Sequence, residues 1–213
     1  MRWPTDGEPT TFAAGLHAGS AVGIALALRQ ELRDLDPRTG SLLLLSCMPA
    51  AAAGFLGQGA VERRLGRPGP TAALLAGAGA LMWAADQRPE TRAVGRREAA
   101  AAALAQVVAF APGVSRSGAT LTALRALGVR RLDAARFSML MSLPVTAGAA
   151  VLTIARSRQA PAALPTALAA AASFGTTLSV DRASRRFLLG AALYRAALAV
   201  AVAARLRHDR EHR

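Results

Sequence analysis

The sequence predicts an all-α fold, a polytopic membrane helix bundle that contains one re-entrant, broken helix pair. Three observations lead to this prediction. First, 53% of the 213 residues are hydrophobic and the mean hydropathy is +0.29, while only 4% are aromatic. Second, the apolar residues form long stretches that are almost free of charge. Third, one of these stretches runs into a polar island that contains glycines, serines and an arginine.

Seven apolar stretches follow one another along the chain, and most approach or reach the roughly 20 residues that cross a bilayer core. They comprise residues 12–28, 41–60, 68–85, 99–114, 137–155, 159–180 and 187–204. Only the last one contains an arginine, Arg195. Alanine contributes little to membrane insertion, so each alanine-rich stretch is a weak candidate by itself. We expect six or seven membrane segments. Small residues such as Gly77, Gly79 and Gly148 should let the helices approach closely, and residues 1–213 are predicted to form a single integral membrane domain.

The basic residues lie between the apolar stretches. The formal net charge is +13, and every basic residue is an arginine. A nucleic-acid-binding protein concentrates its positive charge on one face, whereas this chain distributes it between apolar segments. This spacing indicates contact with lipid headgroups, and we predict no nucleic-acid partner. Three clusters show the pattern: Arg63, Arg64 and Arg67; Arg130, Arg131 and Arg136; Arg182, Arg185 and Arg186.

The polar island at residues 112–120 reads PGVSRSGAT. Pro112 disfavours helical dihedral angles in the preceding residue, and Gly113 and Gly118 permit positive φ and close backbone approach. We therefore expect the helix through residues 99–110 to break here, and the chain to turn back. A helix that restarts near Ser117 would direct unpaired backbone N–H groups and the positive end of its dipole at the turn.

The side chains of the island add hydrogen-bond donors. Ser115, Ser117 and Thr120 contribute hydroxyls, and Arg116 contributes a planar fork that binds two phosphate oxygens at once. The sequence therefore predicts a phosphate-binding site without a Walker lysine. The alternative is an exposed loop between helices, in which the serines cap helices and the arginine lies among lipid headgroups. The candidate diphosphate-binding residues are Gly113, Ser115, Arg116, Ser117, Gly118 and Thr120.

Residues 105–120, AQVVAFAPGVSRSGAT, resemble the second signature of the undecaprenyl-diphosphate phosphatases. These bacitracin-resistance membrane proteins recycle the lipid carrier of bacterial cell-wall synthesis. Residues 12–29, 134–145 and 187–195 are similar to further helices of the same family. The resemblance implies an inverted-repeat architecture, in which two re-entrant segments meet near the middle of the membrane.

The resemblance also implies what the protein acts on and where. The substrate would be undecaprenyl diphosphate, which is dephosphorylated to the monophosphate, and the activity would confer bacitracin resistance. The expected location is the bacterial plasma membrane, which the chain would cross several times. The polyprenyl lipid and the membrane are the expected partners, and a homodimer is a further expectation. Magnesium or calcium is the cofactor that the family implies, although no ligands for it are identifiable in this sequence.

The family's first signature, a re-entrant segment with paired glutamates and a serine-serine-threonine-glycine-histidine string, is expected to be missing here. Neither Glu8 nor His17 lies in that pattern, so we transfer no catalytic role to either. We expect either a start further upstream or a shortened relative. Hydrolysis of a diphosphate also requires an activated nucleophile and a proton donor for the leaving phosphate. Ser115 and Ser117 are the candidate nucleophiles, but no carboxylate or histidine is near them in sequence.

Three functional hypotheses remain open. The first is the phosphatase that the family resemblance implies. The second is a catalytically impaired relative that binds or carries lipid phosphates, because the acid and base are not identifiable. The third is a transporter of a small anion, since broken helices also form the binding sites of transporters.

Overall fold

The computed structural model describes residues 9–157, 163–178 and 185–211. Within these ranges the chain forms nine α-helices, and the only β-type pairing is a single bridge between Arg92 and Val129. The helices are α1 (Pro9–Ala27), α2 (Arg29–Arg33), α3 (Pro37–Leu65), α4 (Pro68–Asp86), α5 (Arg96–Val108), α6 (Arg116–Ala126), α7 (Arg131–Ser157), α8 (Ala163–Leu178) and α9 (Arg185–Glu211). The predicted all-α fold is confirmed.

Each of the seven apolar stretches coincides with one helix, and only α2 and α6 lie outside this correspondence. Among the described residues, two helical segments are long and apolar enough to cross a membrane by length and composition, Arg131–Ala155 of α7 and Leu189–Leu206 of α9. Ala14–Ala27 and Ala163–Leu178 are shorter apolar helices. These helices fit a membrane protein, and the number of six or seven membrane segments stays a prediction.

The predicted break in the fourth apolar stretch is confirmed. Helix α5 has 13 residues and ends at Val108, and α6 has 11 residues and begins at Arg116. At about 1.5 Å per residue each helix is roughly 16 to 20 Å long, which is less than the roughly 30 Å of a bilayer core. The two helices pack against each other, so the chain turns back after the break.

The described residues divide into two compact units, with the boundaries at Leu44 in α3 and Met139 in α7. In the first unit, α1 packs along α8. A methyl group added at Gly19 would lie 2.1 Å from the carbonyl oxygen of Thr166, and one at Gly23 would lie 2.2 Å from that of Ala170. The two glycines are four residues apart and share one helix face, so they allow the two backbones to approach closely.

The second unit contains α4, α5, α6 and α9, and α4 contacts both α6 and α9. A methyl group added at Gly79 would lie 3.2 Å from the carbonyl oxygen of Ala192, which confirms the predicted close approach at Gly79. The same prediction is wrong for Gly77 and Gly148. Among the described residues nothing lies within 4 Å of a methyl group added at either glycine.

A buried ion cluster connects the C-terminus of α4 with the C-terminus of α6 and the N-terminus of α7. Arg125 is 1% exposed, and its Nε lies 3.2 Å from Oδ1 of Asp86. The Nε of Arg131 donates to the same carboxylate oxygen at 2.7 Å. Arg125 also donates to the backbone carbonyl oxygens of Asp86, Arg88 and Val129. Because a helix leaves its last carbonyl groups unpaired, the guanidinium both pairs the charge and satisfies the end of α4.

Candidate functional site

The turn between α5 and α6 is shaped by Gly113. Its φ is +91°, in the left-handed region that favours glycine. A methyl group at this position would also lie 2.6 Å from the carbonyl oxygen of Thr71 and 3.3 Å from the backbone nitrogen of Leu75. Both properties predicted for Gly113, positive φ and close backbone approach, are therefore confirmed. The glycine at this position therefore allows the turn to pack directly against the N-terminal part of α4. Positive φ is not found at Gly118, because that residue lies in the first turn of the α-helix α6.

The N-terminus of α6 presents a set of hydrogen-bond donors. Ser115 is its N-cap, and the hydroxyl oxygen of Ser115 accepts from the Gly118 N–H at 3.3 Å. The hydroxyls of Ser115 and Ser117 are 3.3 Å apart. Within the described part of the chain, the backbone N–H groups of Ser115, Arg116 and Ser117 have no acceptor. Free N–H groups at the positive end of a helix dipole favour a bound anion.

Thr120 is placed differently from the two serines. It is 2% exposed, and its hydroxyl lies 2.6 Å from that of Ser138 on α7. The same hydroxyl is within hydrogen-bond distance of the carbonyl oxygens of Arg116 and Ser117, at 3.2 and 3.0 Å. In this arrangement Thr120 secures the first turn of α6 to α7. A direct contact of Thr120 with a phosphate stays a prediction.

Arg116, the first residue of α6, is half-buried. Its guanidinium lies close enough to Cys47 on α3 for an electrostatic interaction. Among the described residues it forms no hydrogen bond and no ion pair. A half-buried guanidinium retains its five N–H donors, and a bound phosphate would satisfy several of them.

Behind the turn, Gln106 connects α5 to α3. It is 2% exposed, and its Nε2 donates to the carbonyl oxygen of Ser46 at 3.1 Å. Ser46 in turn donates its hydroxyl to the carbonyl oxygen of Ala99 at 3.2 Å. The Oε1 of Gln106 is buried without a hydrogen-bond partner in the described part of the chain. These hydrogen bonds hold α5 against α3, and they thereby position the start of the turn between α5 and α6.

A second arginine reaches the N-terminus of α6 from α9. A methyl group added at Gly118 would lie 2.7 Å from Nη2 of Arg195. The Nη1 of Arg195 donates to the carbonyl oxygen of Ala191 at 3.1 Å and lies 3.7 Å from Sδ of Met82. No role for Arg195 was predicted from the sequence. A lone arginine within an apolar stretch is itself a sign of a functional position in a membrane protein.

A cavity of about 370 Å³ opens beside this arginine. Its walls come from one face of α4, one face of α6, the end of α5 and Arg195 of α9. Ser115, Thr122 and Arg195 are its hydrogen-bonding side chains, and the other lining residues are alanine, glycine, valine, leucine and methionine. The hydroxyl of Thr122 is already used, since it donates to the carbonyl oxygen of Gly118 at 2.8 Å. The cavity is therefore polar at the signature and apolar elsewhere.

The donor set suits an anion better than a metal ion. Around the signature it consists of N–H groups, hydroxyls and two guanidinium groups, whereas Mg²⁺ and Ca²⁺ prefer carboxylate and carbonyl oxygens. No group of three or more histidine, cysteine, aspartate or glutamate side chains suitable for a metal occurs in residues 9–157, 163–178 and 185–211. The residues at this site do not fit a divalent cation, and the cofactor stays an expectation.

The comparison with known proteins agrees with the signature. Residues 2–201 match the family model described as bacitracin resistance protein BacA. An undecaprenyl-diphosphatase from Rubrobacter xylanophilus is 35% identical over 92% of this chain and 83% of its own length. Similar proteins of the same name from Alcanivorax borkumensis and Geobacter metallireducens are 37% and 36% identical over 71% of this chain. The chain spans 64% and 63% of the length of these two relatives.

Proposed function

This chain belongs to the family of bacitracin resistance proteins BacA, and we propose that it is a phosphatase that removes the terminal phosphate of undecaprenyl diphosphate. The relatives that carry the name undecaprenyl-diphosphatase support this proposal. One structural observation carries it. Free backbone N–H groups, two serine hydroxyls and the guanidinium group of Arg195 lie together at the N-terminus of α6, whose first residue is Arg116.

In the proposed reaction a nucleophile attacks the terminal phosphorus, and the bond between that phosphorus and the bridging oxygen breaks. With water as the net reactant, the products are inorganic phosphate and the prenyl monophosphate. Negative charge moves onto the bridging oxygen as this bond breaks. Preorganised donors in a site shielded from water stabilise such charge strongly. Arg116 would hold the diphosphate by a bidentate contact, and Arg195 would neutralise charge next to Gly118.

Ser115 and Ser117 would bind phosphate oxygens through their hydroxyls. Either serine remains a candidate nucleophile, and attack by a hydroxyl requires a base that takes its proton. In the described part of the chain, the hydrogen-bond partners of these two hydroxyls are each other and the Gly118 N–H. This contact pattern favours the assignment of both serines to binding.

The proposed location is the bacterial plasma membrane, crossed several times, because the substrate is a membrane lipid and the apolar helices fit a membrane protein. The diphosphate would be held by the turn between α5 and α6, since backbone without helical hydrogen bonds is tolerated within a membrane where protein or water lines it. The homodimer stays a prediction.

A second candidate function is lipid-phosphate binding without turnover. The observation that favours it is the same contact pattern, in which no carboxylate or imidazole in the described residues is hydrogen-bonded to Ser115 or Ser117. Both candidates share the diphosphate site. They differ only in whether the bond to the terminal phosphate breaks.

The experiment that separates the two candidates measures phosphate release from undecaprenyl diphosphate by the purified protein, with magnesium, with calcium and with a chelator. The phosphatase predicts multiple turnovers, which Arg116→Ala abolishes. Arg97, an exposed arginine in the first turn of α5, provides the matched control, and Arg97→Ala should retain the activity. Binding of the lipid without phosphate release would support the carrier. Absence of both would overturn the proposed site.

A further inference from the structure

The apolar cavity beside the signature has a size and a position that the diphosphate alone does not explain. Ser115 and Arg195 lie at its polar end, and the rest of its wall is apolar. Small side chains create the space, because Ala73, Gly77 and Ala123 line it where larger residues would fill it.

The cavity opens at an apolar surface. Two of its lining residues, Leu81 and Val108, are 64% and 62% exposed. An opening bordered by exposed leucine and valine in a membrane protein faces lipid tails more favourably than water. A ligand with a negatively charged end at Arg195 and an apolar chain would therefore extend from Ser115 and Arg195 through the cavity towards the bilayer.

We propose that this cavity holds the first two isoprene units of a polyprenyl diphosphate, whose diphosphate group lies at Ser115, Gly118 and Arg195. The proposal rests on the proposed function. An engineered cavity of about 150 Å³ is filled by one benzene, which has six carbons. By this ratio a volume of about 370 Å³ holds about fifteen carbon-sized groups. Because the diphosphate would occupy the part next to Ser115 and Arg195, the remainder accommodates about ten carbons, or two isoprene units. The rest of the chain would lie in the bilayer, so the protein would recognise the diphosphate and about ten carbons, whatever the total chain length.

Gly77 offers the sharpest test, because filling the cavity there need not disturb the fold. Nothing among the described residues lies within 4 Å of a methyl group added at Gly77. Leucine also has a higher helix propensity than glycine, so Gly77→Leu should unfold at the same temperature as the unmodified protein or a higher one. Gly148 on α7 is the matched control, since it too has open space around it but does not line the cavity.

The measurement is titration calorimetry with inorganic diphosphate and with dimethylallyl, geranyl and farnesyl diphosphate, on the unmodified protein, Gly77→Leu and Gly148→Leu. The unmodified protein should gain affinity from five to ten carbons and little from ten to fifteen. Gly77→Leu should bind geranyl diphosphate about tenfold more weakly, which corresponds to losing the burial of about two methylene groups. Its affinity for inorganic diphosphate should stay unchanged, and Gly148→Leu should behave like the unmodified protein.

Ala123→Leu fills the cavity from the α6 wall and should give the same pattern as Gly77→Leu. Equal affinity of all variants for geranyl diphosphate would overturn the prenyl subsite while the proposed function stands, provided that inorganic diphosphate binds. If the unmodified protein binds neither inorganic diphosphate nor any prenyl diphosphate, the proposed function fails and this inference with it.

Discussion

Gly118 and Arg195 are in direct contact: a methyl group at Gly118 would lie 2.7 Å from Nη2 of Arg195. The absence of a side chain at Gly118 therefore lets a cation from α9 reach the N-terminus of α6. The positive charge of the guanidinium adds to the positive end of the helix dipole, and both favour an anion.

Gly118→Ala should weaken diphosphate binding without unfolding the protein. The added methyl group meets the flexible ends of Arg195 and Met82, which can shift, rather than backbone atoms. Displacing the guanidinium from a charge-assisted hydrogen bond should lower the affinity for inorganic diphosphate by about tenfold. Calorimetry gives the affinity and thermal unfolding gives the stability. Unchanged affinity together with unchanged stability would contradict a role for this contact.

Arg116→Ala should lower the affinity for a short-chain prenyl diphosphate by the equivalent of about 2 to 4 kcal/mol, the typical value for a bidentate charged contact in a dry site. Arg116→Lys should recover only part of the loss, because an ammonium group cannot form the fork. The control is Arg97→Ala, which should bind as the unmodified protein does. Full recovery of the affinity in Arg116→Lys would show that a positive charge alone is sufficient for binding, and it would contradict the bidentate contact.

Gly113→Ala should destabilise the protein by at least about 1 to 3 kcal/mol, because alanine disfavours a φ of +91° and its methyl group would meet the carbonyl oxygen of Thr71. A backbone atom cannot yield as a flexible side chain can. Gly77→Ala is the comparison, since its helical position and open surroundings predict a gain of about 0.5 to 1 kcal/mol. The test is the unfolding temperature in a mild detergent, and equal midpoints for both variants would contradict the strain at Gly113.

Arg125→Met should cost about 3 to 5 kcal/mol, the range for breaking a buried ion pair. The substitution leaves the Asp86 carboxylate with Arg131 alone and leaves the carbonyl oxygens of Arg88 and Val129 without their donor. Arg130→Met is the matched control, because Arg130 is exposed and pairs with Asp133 at the surface. A similar unfolding temperature for the two variants would refute the importance of the cluster.

Asp36 should make stability depend on pH. The hydroxyl and backbone N–H of Thr39 and the backbone N–H of Arg38 donate to its carboxylate and hold its pKa below the ordinary value of 3.8. A lowered pKa contributes stability above the unfolded value, and this contribution is lost as pH falls through the folded value. Asp36→Asn should therefore show a smaller loss of unfolding temperature between about pH 5 and pH 2. Identical profiles for both proteins would contradict this role.

The helices and the break at residues 112–120 were predictable from the sequence because their causes are local. Long charge-free runs require helices in a membrane, and Pro112 with Gly113 interrupts a helix whatever surrounds it. The sequence also predicted a helix restart near Ser117, and α6 begins one residue earlier, at Arg116, with Ser115 as its N-cap.

Other parts of the site were decided by tertiary packing. Whether Gly77 or Gly79 meets a neighbouring helix depends on which face of α4 is turned towards α9, and hydropathy is nearly the same on both faces. The orientation of Thr120 towards Ser138 depends in the same way on the position of α7.

The sequence by itself determined that this is a helical membrane protein of the BacA family with a donor-rich turn suited to an anion. Only the tertiary structure decided that Arg195 joins that turn and that an apolar cavity opens beside it. The physical reason is that helix formation and helix breaking depend on neighbouring residues. The approach of α9 to Gly118 depends instead on how side chains distant in sequence fill the space between helices.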